Sequence, residues 1–325
     1  MTSPSVSAIL MELPLHARNS QEQSRLKRSS DCGIGNPKRV CPAHLLGRAQ
    51  SAIIRLAVDV KLFQYLKDAG DAGLTPTAFS QKTQVDSIIL KRLTRHLVAM
   101  NLVSFQNGMF YATKLSNGLA EENYQHSINF CYDVSRPLMN SFPGYFKKSE
   151  YNSPTLGGTD GPFQDAHKTN LAFFEWLVAT PPHLQLFNSF MSAYRAGVVA
   201  NGMERAFEVQ AHDFFTPQPI KGARAYSLHS ILHDWSDEDG VKILENLVPA
   251  LKKGYSRVLF NEIVINEEKP TLAATNMDMM MLAHFAVRER TEADWRDILT
   301  QAGLKVVNIY TYPGVAESLI EAELA

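Results

Sequence analysis

The stretch that decides the fold is Leu228-His229-Ser230-Ile231-Leu232-His233-Asp234-Trp235-Ser236-Asp237-Glu238. The apolar run from Ala223 to Leu232 predicts a strand, and Ser236 followed by acidic residues predicts the capped start of a helix. His233 therefore falls at the C-terminal end of a strand. Ligands of open α/β sheets bind at that end of parallel strands, so this imidazole is a candidate general base. A structural histidine is the alternative interpretation.

Strand and helix patterns alternate on both sides of this stretch, which is typical of the second half of a Rossmann-like sheet. The predicted elements are, in chain order, strands over 207–211 and 224–230, a helix over 236–253 bent at Pro249, a strand over 258–264, a helix from a Thr291 cap to Ala302, and strands over 304–310 and 318–324.

The region before residue 121 predicts an arm followed by helices and a hairpin. Residues 1–46 are basic and rich in Ser, Gln, Gly and Pro, a composition typical of a loose arm. The signals within residues 47–120 are a helical pattern from Ser51 to Gly70, a helix start at Thr75-Pro76, a cap at Asp86 and a hairpin turn at Asn107-Gly108. Three helices and a hairpin are typical of a winged helix.

A basic face on the third of these helices raises the alternative of DNA binding. Its residues are Lys91, Arg92, Arg95 and His96, on the helix with which winged helices read DNA. A formal net charge of -1 and the helical region over 121–200 argue instead for a solvated face, so we expect no nucleic-acid partner. Residues 121–200 form a helical connector with dense aromatic residues.

Composition limits the location of the protein and its kinds of site. With 325 residues, 45% of them hydrophobic, the chain can form two compact units. The three cysteines, Cys32, Cys41 and Cys131, are far apart, which favours a reducing cytoplasm and no disulfide or zinc site. We predict no signal peptide and no membrane-spanning segment.

Several short motifs occur in an order that resembles the cation-independent, S-adenosylmethionine (SAM)-dependent O-methyltransferases of plant and fungal secondary metabolism. They are His212-Asp213-Phe214-Phe215, Lys221-Gly222-Ala223-Arg224-Ala225-Tyr226, Leu232-His233-Asp234-Trp235, Asn261-Glu262, Met277-Asp278-Met279-Met280-Met281 and Glu289-Arg290-Thr291. The resemblance covers about residues 50–324. It implies an α/β protein with a winged-helix dimerisation domain over 47–120, a Rossmann-like class I methyltransferase domain over 201–325, a homodimer and a small aromatic or polyketide-like acceptor.

The resemblance also implies roles for single residues. His233 matches the general base that removes the hydroxyl proton of the acceptor, and Glu262 and Glu289 match the acids that flank and orient it. Asp213 and Phe214 match contacts to the adenine of SAM. The residues that match or neighbour the acceptor pocket are Phe173, Trp176, Asp278, Met281 and His284. Each of these is also an ordinary core or surface residue by composition, and nothing resembles a metal site.

The same resemblance reveals a gap between Arg195 and Asp213. A nucleotide-type cofactor needs a glycine-rich turn after one strand and an acidic residue after the next. Only seventeen residues lie in this interval, and roughly 50–60 are absent by comparison with the family. Gly33-Ile34-Gly35 and the glycines of 157–161 lack the required strand and helix. We therefore expect an incomplete domain, impaired SAM binding and an unpaired strand at 224–230.

Two classes of function follow. In the first, the chain is an O-methyltransferase of secondary metabolism whose SAM binding is weakened or lost. In the second, it is a SAM-independent relative, such as a pericyclase, dehydratase or isomerase, or a non-catalytic dimerisation partner. SAM binding distinguishes the two classes. The sequence leaves open whether the gap is a skipped exon, an error in the gene structure or a real loss.

Overall fold

The computed structural model of the chain describes residues 37–195, 210–312 and 315–325. The described residues fall into two compact units. The helical unit comprises residues 37–136 and 181–194, and the sheet unit comprises residues 137–180, Arg195 and the described residues from 210 onward.

The elements are named here in chain order. The helices are α1 (Pro37–Asp59), α2 (Leu62–Ala69), α3 (Pro76–Thr83), α4 (Ser87–Ala99), α5 (Lys114–Leu119), α6 (Glu122–Phe130), α7 (Arg136–Lys148), α8 (Pro162–His167), α9 (Phe173–Ala179), α10 (His183–Arg195), α11 (Asp237–Leu247), α12 (Leu272–Phe285) and α13 (Glu292–Gln301). The strands are β1 (Val103–Gln106), β2 (Met109–Ala112), β3 (Ala225–His229), β4 (Arg257–Ile265), β5 (Arg290–Thr291), β6 (Leu304–Thr311) and β7 (Glu317–Leu324).

The helical connector predicted over 121–200 does not form one unit. Its two ends belong to the helical unit and its middle belongs to the sheet unit. The reason is that its aromatic residues pack into separate cores. Phe130 contacts Phe187 and Phe190 in the helical unit, whereas Phe163 contacts Phe173 and Trp176 in the sheet unit.

In the helical unit the predicted local signals are confirmed at three places. The Thr75 hydroxyl accepts a hydrogen bond from the Ala78 N–H and begins α3, and the Asp86 carboxylate caps α4. Asn107 and Gly108 have φ angles of 49° and 78° and join β1 to β2 in a two-residue hairpin. The starts of α3 and α4 and the hairpin therefore lie where the sequence predicts them.

Two boundaries in the helical unit differ from the prediction. Helix α1 begins at Pro37, inside the segment 1–46 predicted as a loose arm. The single helical pattern expected from Ser51 to Gly70 is broken at Lys61, whose left-handed φ of 53° separates α1 from α2. Hydrophobic periodicity continues through this break, so it could not reveal it. In the described parts of the chain, no helix is both long and apolar enough to cross a membrane.

The sheet unit is built on strands in the order β3-β4-β7-β6, with β5 paired to the end of β4. Strands β3 and β4 are parallel, and β7 is antiparallel to both β4 and β6. The four predicted strands over 224–230, 258–264, 304–310 and 318–324 are confirmed within one or two residues. The strand predicted over 207–211 falls largely outside the described residues, and 210 and 211 have no regular structure.

Helices α11 and α13 pack together on the sheet and share a core with Val258 and Phe260 of β4. The predicted caps are confirmed, since Ser236 accepts from the Asp239 N–H, and Thr291 and Asp294 form a capping box. The helix expected to reach Lys253 ends earlier, at Leu247, and a 3₁₀ turn follows. Pro249 lies in that turn, where its missing N–H cannot continue an α-helix.

Strand β3 lies at one edge of the described sheet. Its residues pair with Arg257–Asn261 of β4, and among the described residues no strand pairs with its other side. Residues 196–209 lie outside the described ranges, so the expectation that the strand over 224–230 lacks a neighbour stays a prediction.

Candidate active site

The candidate base lies on a short turn after β3. The strand ends at His229, Ser230 reverses the chain with a φ of 47°, and Leu232–Asp234 form a 3₁₀ turn. One carboxylate oxygen of Glu262, on the neighbouring strand β4, accepts the backbone N–H groups of Ile231 at 2.8 Å and Leu232 at 2.9 Å. Glu262 therefore holds the backbone that carries His233.

His233 forms a close buried pair with Glu289. Nδ1 of His233 lies 2.9 Å from Oε1 of Glu289, and the two residues are 2% and 4% exposed. The Nε2 atom of His233 has no hydrogen-bond partner and lies 3.6 Å from Oδ1 of Asp234. When Nδ1 carries the proton and donates it to Glu289, Nε2 keeps a lone pair that can accept a proton, and this atom is buried in the structure.

The surrounding acids change the proton affinity of this imidazole. Burial opposes the charged form of His233, but Asp234, Glu289 and Glu262 outweigh that effect and raise its pKa to about 10. Burial also raises the pKa of Asp234 to about 7, against the opposing effect of a charged His233. The pKa of Glu262 is raised in the same way, mainly by burial. The cluster thus holds a proton on His233 more tightly than an isolated histidine does.

Asp278, predicted as an acceptor contact, binds the backbone of Glu289, the residue paired with the candidate base His233. Its Oδ1 accepts the backbone N–H of Glu289 at 2.9 Å. The carboxylate therefore fixes the residue that orients His233. A direct contact between Asp278 and an acceptor stays a prediction.

The remaining predicted acceptor contacts lie in packed interior regions of the sheet unit. Met281 is fully buried among Ile263, Met277 and Val287. Burial lowers the pKa of His284 to about 4, and its Nδ1 lies 2.9 Å from the Met280 carbonyl oxygen. His284 is thus held as a neutral imidazole.

Phe173 and Trp176 belong to a compact aromatic cluster. The Phe173 ring packs edge-on to His284 at 5.3 Å, and the Trp176 ring lies 4.4 Å from His167. Both side chains are buried, at 3% and 8% exposure. Helix α9 thus contributes buried aromatic side chains to the sheet unit, and their contact with an acceptor stays a prediction.

Asp213 and Phe214, predicted on the adenine side, lie close to the free edge of β3. Oδ1 of Asp213 accepts the N–H of Phe215 at 3.0 Å, so this exposed carboxylate stabilises its own turn. The Phe214 ring packs edge-on to Trp235 at 5.8 Å. Phe214 also lines a cavity of about 220 Å³ together with Tyr226, Leu228, Ile231 and Ile243.

These residues do not fit a complete SAM molecule. The cavity is smaller than the roughly 300–1,000 Å³ of typical ligand pockets. Gly222 comes before β3 rather than after a strand, and its N–H donates to the Ala250 carbonyl. No described carboxylate occupies the end of a second parallel strand beyond β3. The described residues thus include neither the glycine-rich turn nor the acidic residue that SAM binding is expected to need.

Within the described ranges, no group of three His, Cys, Asp or Glu residues is arranged to hold a metal ion, and the expectation that the protein needs no metal stays a prediction.

Arg290 is a residue whose role sequence reasoning missed. Its guanidinium donates to the carbonyl oxygens of Leu232 at 2.7 Å and Trp235 at 2.9 Å, and to Asp237 at 2.8 Å. Arg290 belongs to the motif Glu289-Arg290-Thr291, but its acceptors lie more than fifty residues away in sequence. No local pattern could therefore have assigned them.

A family model described as an O-methyltransferase domain matches residues 191–305. Among curated proteins, the chain is 54% identical to the O-methyltransferase mpaG of Penicillium roqueforti, in an alignment that covers 85% of this chain and 86% of the relative. That alignment has 341 positions, whereas 85% of 325 residues is about 276, so about 65 aligned positions have no residue here. The missing length is close to that expected from the sequence.

Solved structures share the fold at low sequence identity. A structure described as a pericyclic reaction enzyme superposes with a TM-score of 0.80 at 19% identity, covering 98% of this chain and 99% of the other. The structure of OxaC with sinefungin and meleagrin superposes with a TM-score of 0.74 at 20% identity, covering 98% and 97%. These likenesses support the α/β class I methyltransferase-like fold.

Proposed function

The chain belongs to the O-methyltransferase family, and we propose that it is an O-methyltransferase of secondary metabolism that retains the general-base residues of the active site. We propose further that it has lost most of the binding site for the methyl donor. Its substrate is a hydroxyl group on a small aromatic or polyketide-like acceptor. Methyl transfer from SAM by this chain is accordingly strongly impaired.

The observation that carries the proposal is the His233 cluster. A buried imidazole with Nδ1 held by Glu289 and Nε2 without a partner has the arrangement that a general base requires. Glu262 and Asp278 support the cluster through the backbone on either side of the pair. A histidine retained only for packing would not need three carboxylates around it, since buried charges are costly unless paired.

The reaction at this site is the transfer of one proton. The O–H bond of the acceptor breaks as its proton moves to Nε2 of His233, and the electron pair stays on the oxygen. The resulting imidazolium is stabilised by Asp234, Glu289 and Glu262. Because the pKa of His233 is raised to about 10, the neutral imidazole that accepts the proton is the minor form at neutral pH, and proton removal from a phenol should become faster as the pH rises towards 10.

SAM would supply the methyl group in a complete relative, but the described residues do not form its seat. No step of the proposed reaction in this chain therefore depends on SAM. The retained edge residues, Asp213 and Phe214, are remnants of the adenine side of the seat in this proposal.

A chimera tests the proposal. The segment of the P. roqueforti relative that this chain lacks is inserted between Arg195 and Gly202, and methylation of small phenols is measured with SAM. We expect the chimera to be active and the parent chain to be nearly inactive. In the chimera, His233→Ala should lower kcat by about 100-fold or more without unfolding the protein, given usual general-base contributions. An unchanged kcat would remove His233 from the mechanism.

A second candidate function follows from the poor fit to SAM. A related fold occurs in a structure described as a pericyclic reaction enzyme, so the fold also accommodates chemistry other than methyl transfer. Proton removal by His233 without SAM would support isomerisation, dehydration or a pericyclic step. A parent chain that converts an acceptor without binding SAM would favour this candidate. A parent chain that converts no acceptor would favour a non-catalytic dimerisation partner.

The assembly and location of the protein are further proposals. We propose that residues 47–120 form a winged-helix dimerisation domain and that the chain acts as a cytoplasmic homodimer without nucleic-acid partners. The confirmed helix caps and hairpin support the winged helix. Sedimentation velocity of the full chain tests the dimer, and a monomer at micromolar concentration would contradict it.

A further inference from the structure

Three backbone and side-chain contacts hold the turn that carries His233. Glu262 binds its N–H groups and Glu289 binds its imidazole. The third contact is Arg290, which donates to the carbonyl oxygens of Leu232 and Trp235. These two carbonyls flank the His233-Asp234 pair, so Arg290 holds the turn at both of its ends.

The geometry of Arg290 is specific to a guanidinium. The residue is 1% exposed, and its Nε, Nη1 and Nη2 atoms donate to three different acceptors. The planar group also lies over the Trp295 ring at 5.3 Å. A lysine has one compact ammonium and cannot reach two carbonyls and a carboxylate in this planar arrangement. Burial of such a cation is tolerated only with full hydrogen bonding.

We infer that Arg290 is a positioning residue for the proposed general base. By fixing the carbonyls on both sides of His233, it keeps Nδ1 within hydrogen-bond distance of Glu289. The Nε2 atom, on the other side of the ring, is then left without a hydrogen-bond partner. This inference rests on the proposed role of His233 but not on SAM binding, because it concerns the geometry of the base alone.

A titration separates positioning from a simple charge effect. Loss of a nearby positive charge would by itself raise the pKa of His233, because the imidazolium would feel less repulsion. Loss of positioning lengthens the contact with Glu289 and moves the group towards solvent, which lowers the pKa towards its ordinary value of about 6.5. The direction of the shift therefore reports which role Arg290 has.

The experiment uses the full chain labelled with ¹⁵N-histidine, in which NMR gives the titration midpoint and the tautomer of His233. Arg290→Met and Arg290→Lys should both lower the midpoint by about one pH unit or more. The matched control is Arg288→Met, because exposed Arg288 contacts the same Asp237 without touching the turn. It should leave the midpoint and the tautomer unchanged.

An unchanged or raised midpoint in the folded Arg290 variants would overturn the inference. If both variants fail to fold, ¹⁵N-arginine spectra of the parent chain decide. Separate, slowly exchanging Nη signals are expected for Arg290 and averaged ones for exposed Arg288. An averaged Nη signal for Arg290 would likewise overturn it. Failure of the chimera to methylate would refute the proposed function and leave these titrations unaffected.

Discussion

At the level of single residues, three carboxylates surround the imidazole of His233. Glu289 contacts Nδ1 of His233, and Asp234 lies beside Nε2. Glu262 accepts the backbone N–H of Ile231, two residues before His233. Glutamates at 262 and 289 and the base itself could be predicted from the motifs. The raised pKa could not, because it depends on burial and on distances across 30 to 56 residues of sequence.

The first prediction concerns Glu289→Gln. The substitution removes the carboxylate that stabilises the charged imidazole, so the pKa of His233 should fall from about 10 by one unit or more. An NMR titration of His233 measures the shift. Glu292→Gln is the matched control, because Glu292 is exposed and pairs with Arg296 instead. Equal midpoints in parent and Glu289→Gln would contradict the assigned pair.

A second prediction links the same pKa to stability. The folded pKa of His233 is above its unfolded value of about 6.5, so its stabilising contribution is complete below about pH 6.5 and is lost as the pH rises towards 10. The free energy of unfolding of the parent should therefore decline between about pH 7 and pH 9.5 more steeply than that of His233→Gln. Urea denaturation at several pH values gives both slopes, and parallel curves would be inconsistent with the raised pKa.

At the scale of elements, local chemistry made the starts of helices and the hairpin predictable. Thr75, Asp86, Ser236 and Thr291 all cap helices as expected, because a cap needs only a few neighbouring residues. The end of α11 and the break at Lys61 were missed. Both depend on backbone conformations that apolar periodicity does not encode.

The hairpin gives a third prediction with a built-in control. Gly108 has a φ of 78° and open space around its Cα, so Gly108→Ala should destabilise the helical unit through backbone strain alone, by about 1 kcal/mol. Gly118 has equally open space but lies in helix α5, so Gly118→Ala should stabilise it by about 0.5–1 kcal/mol. Thermal unfolding measures both, and equal signs for the two variants would contradict the assigned turn.

At the scale of the whole molecule, the two edges of the described sheet differ. The edge strand β6 carries Lys305, a charge that discourages pairing with another chain. Strand β3 has no Lys, Arg, Asp or Glu between Ala225 and His229. The loss of about 65 positions relative to the P. roqueforti mpaG protein is consistent with a removed neighbour of β3.

A fourth prediction follows for self-association. Ser227 is exposed on β3, so Ser227→Lys should reduce concentration-dependent aggregation by placing a charge on the unpaired strand. Asn308→Lys places the same charge on exposed β6 and should have little effect. Light scattering at increasing protein concentration compares the two variants. Equal suppression by both would attribute the effect to net charge instead of the β3 edge.

The family and the second half of the sheet could be predicted from the sequence alone, because they depend on short motifs and local patterns, and the role of His233 as the base stays a prediction. The sequence did not predict the hydrogen bonds of Arg290 to the Leu232 and Trp235 carbonyl oxygens or the division of residues 121–200 between two units. Both depend on which distant elements meet, as Phe163 with Trp176 and Arg290 with Leu232 show. Packing partners of this kind leave no signal in a single sequence.

The proposed function combines an intact carboxylate cluster around His233 with an incomplete binding site for SAM. Isothermal titration calorimetry of SAM into the purified parent chain measures whether that binding site is functional. We expect no saturable binding up to about 1 mM SAM, which means a binding free energy weaker than roughly -4 kcal/mol. Saturable binding of one SAM per chain with a Kd of about 1–10 µM would contradict it.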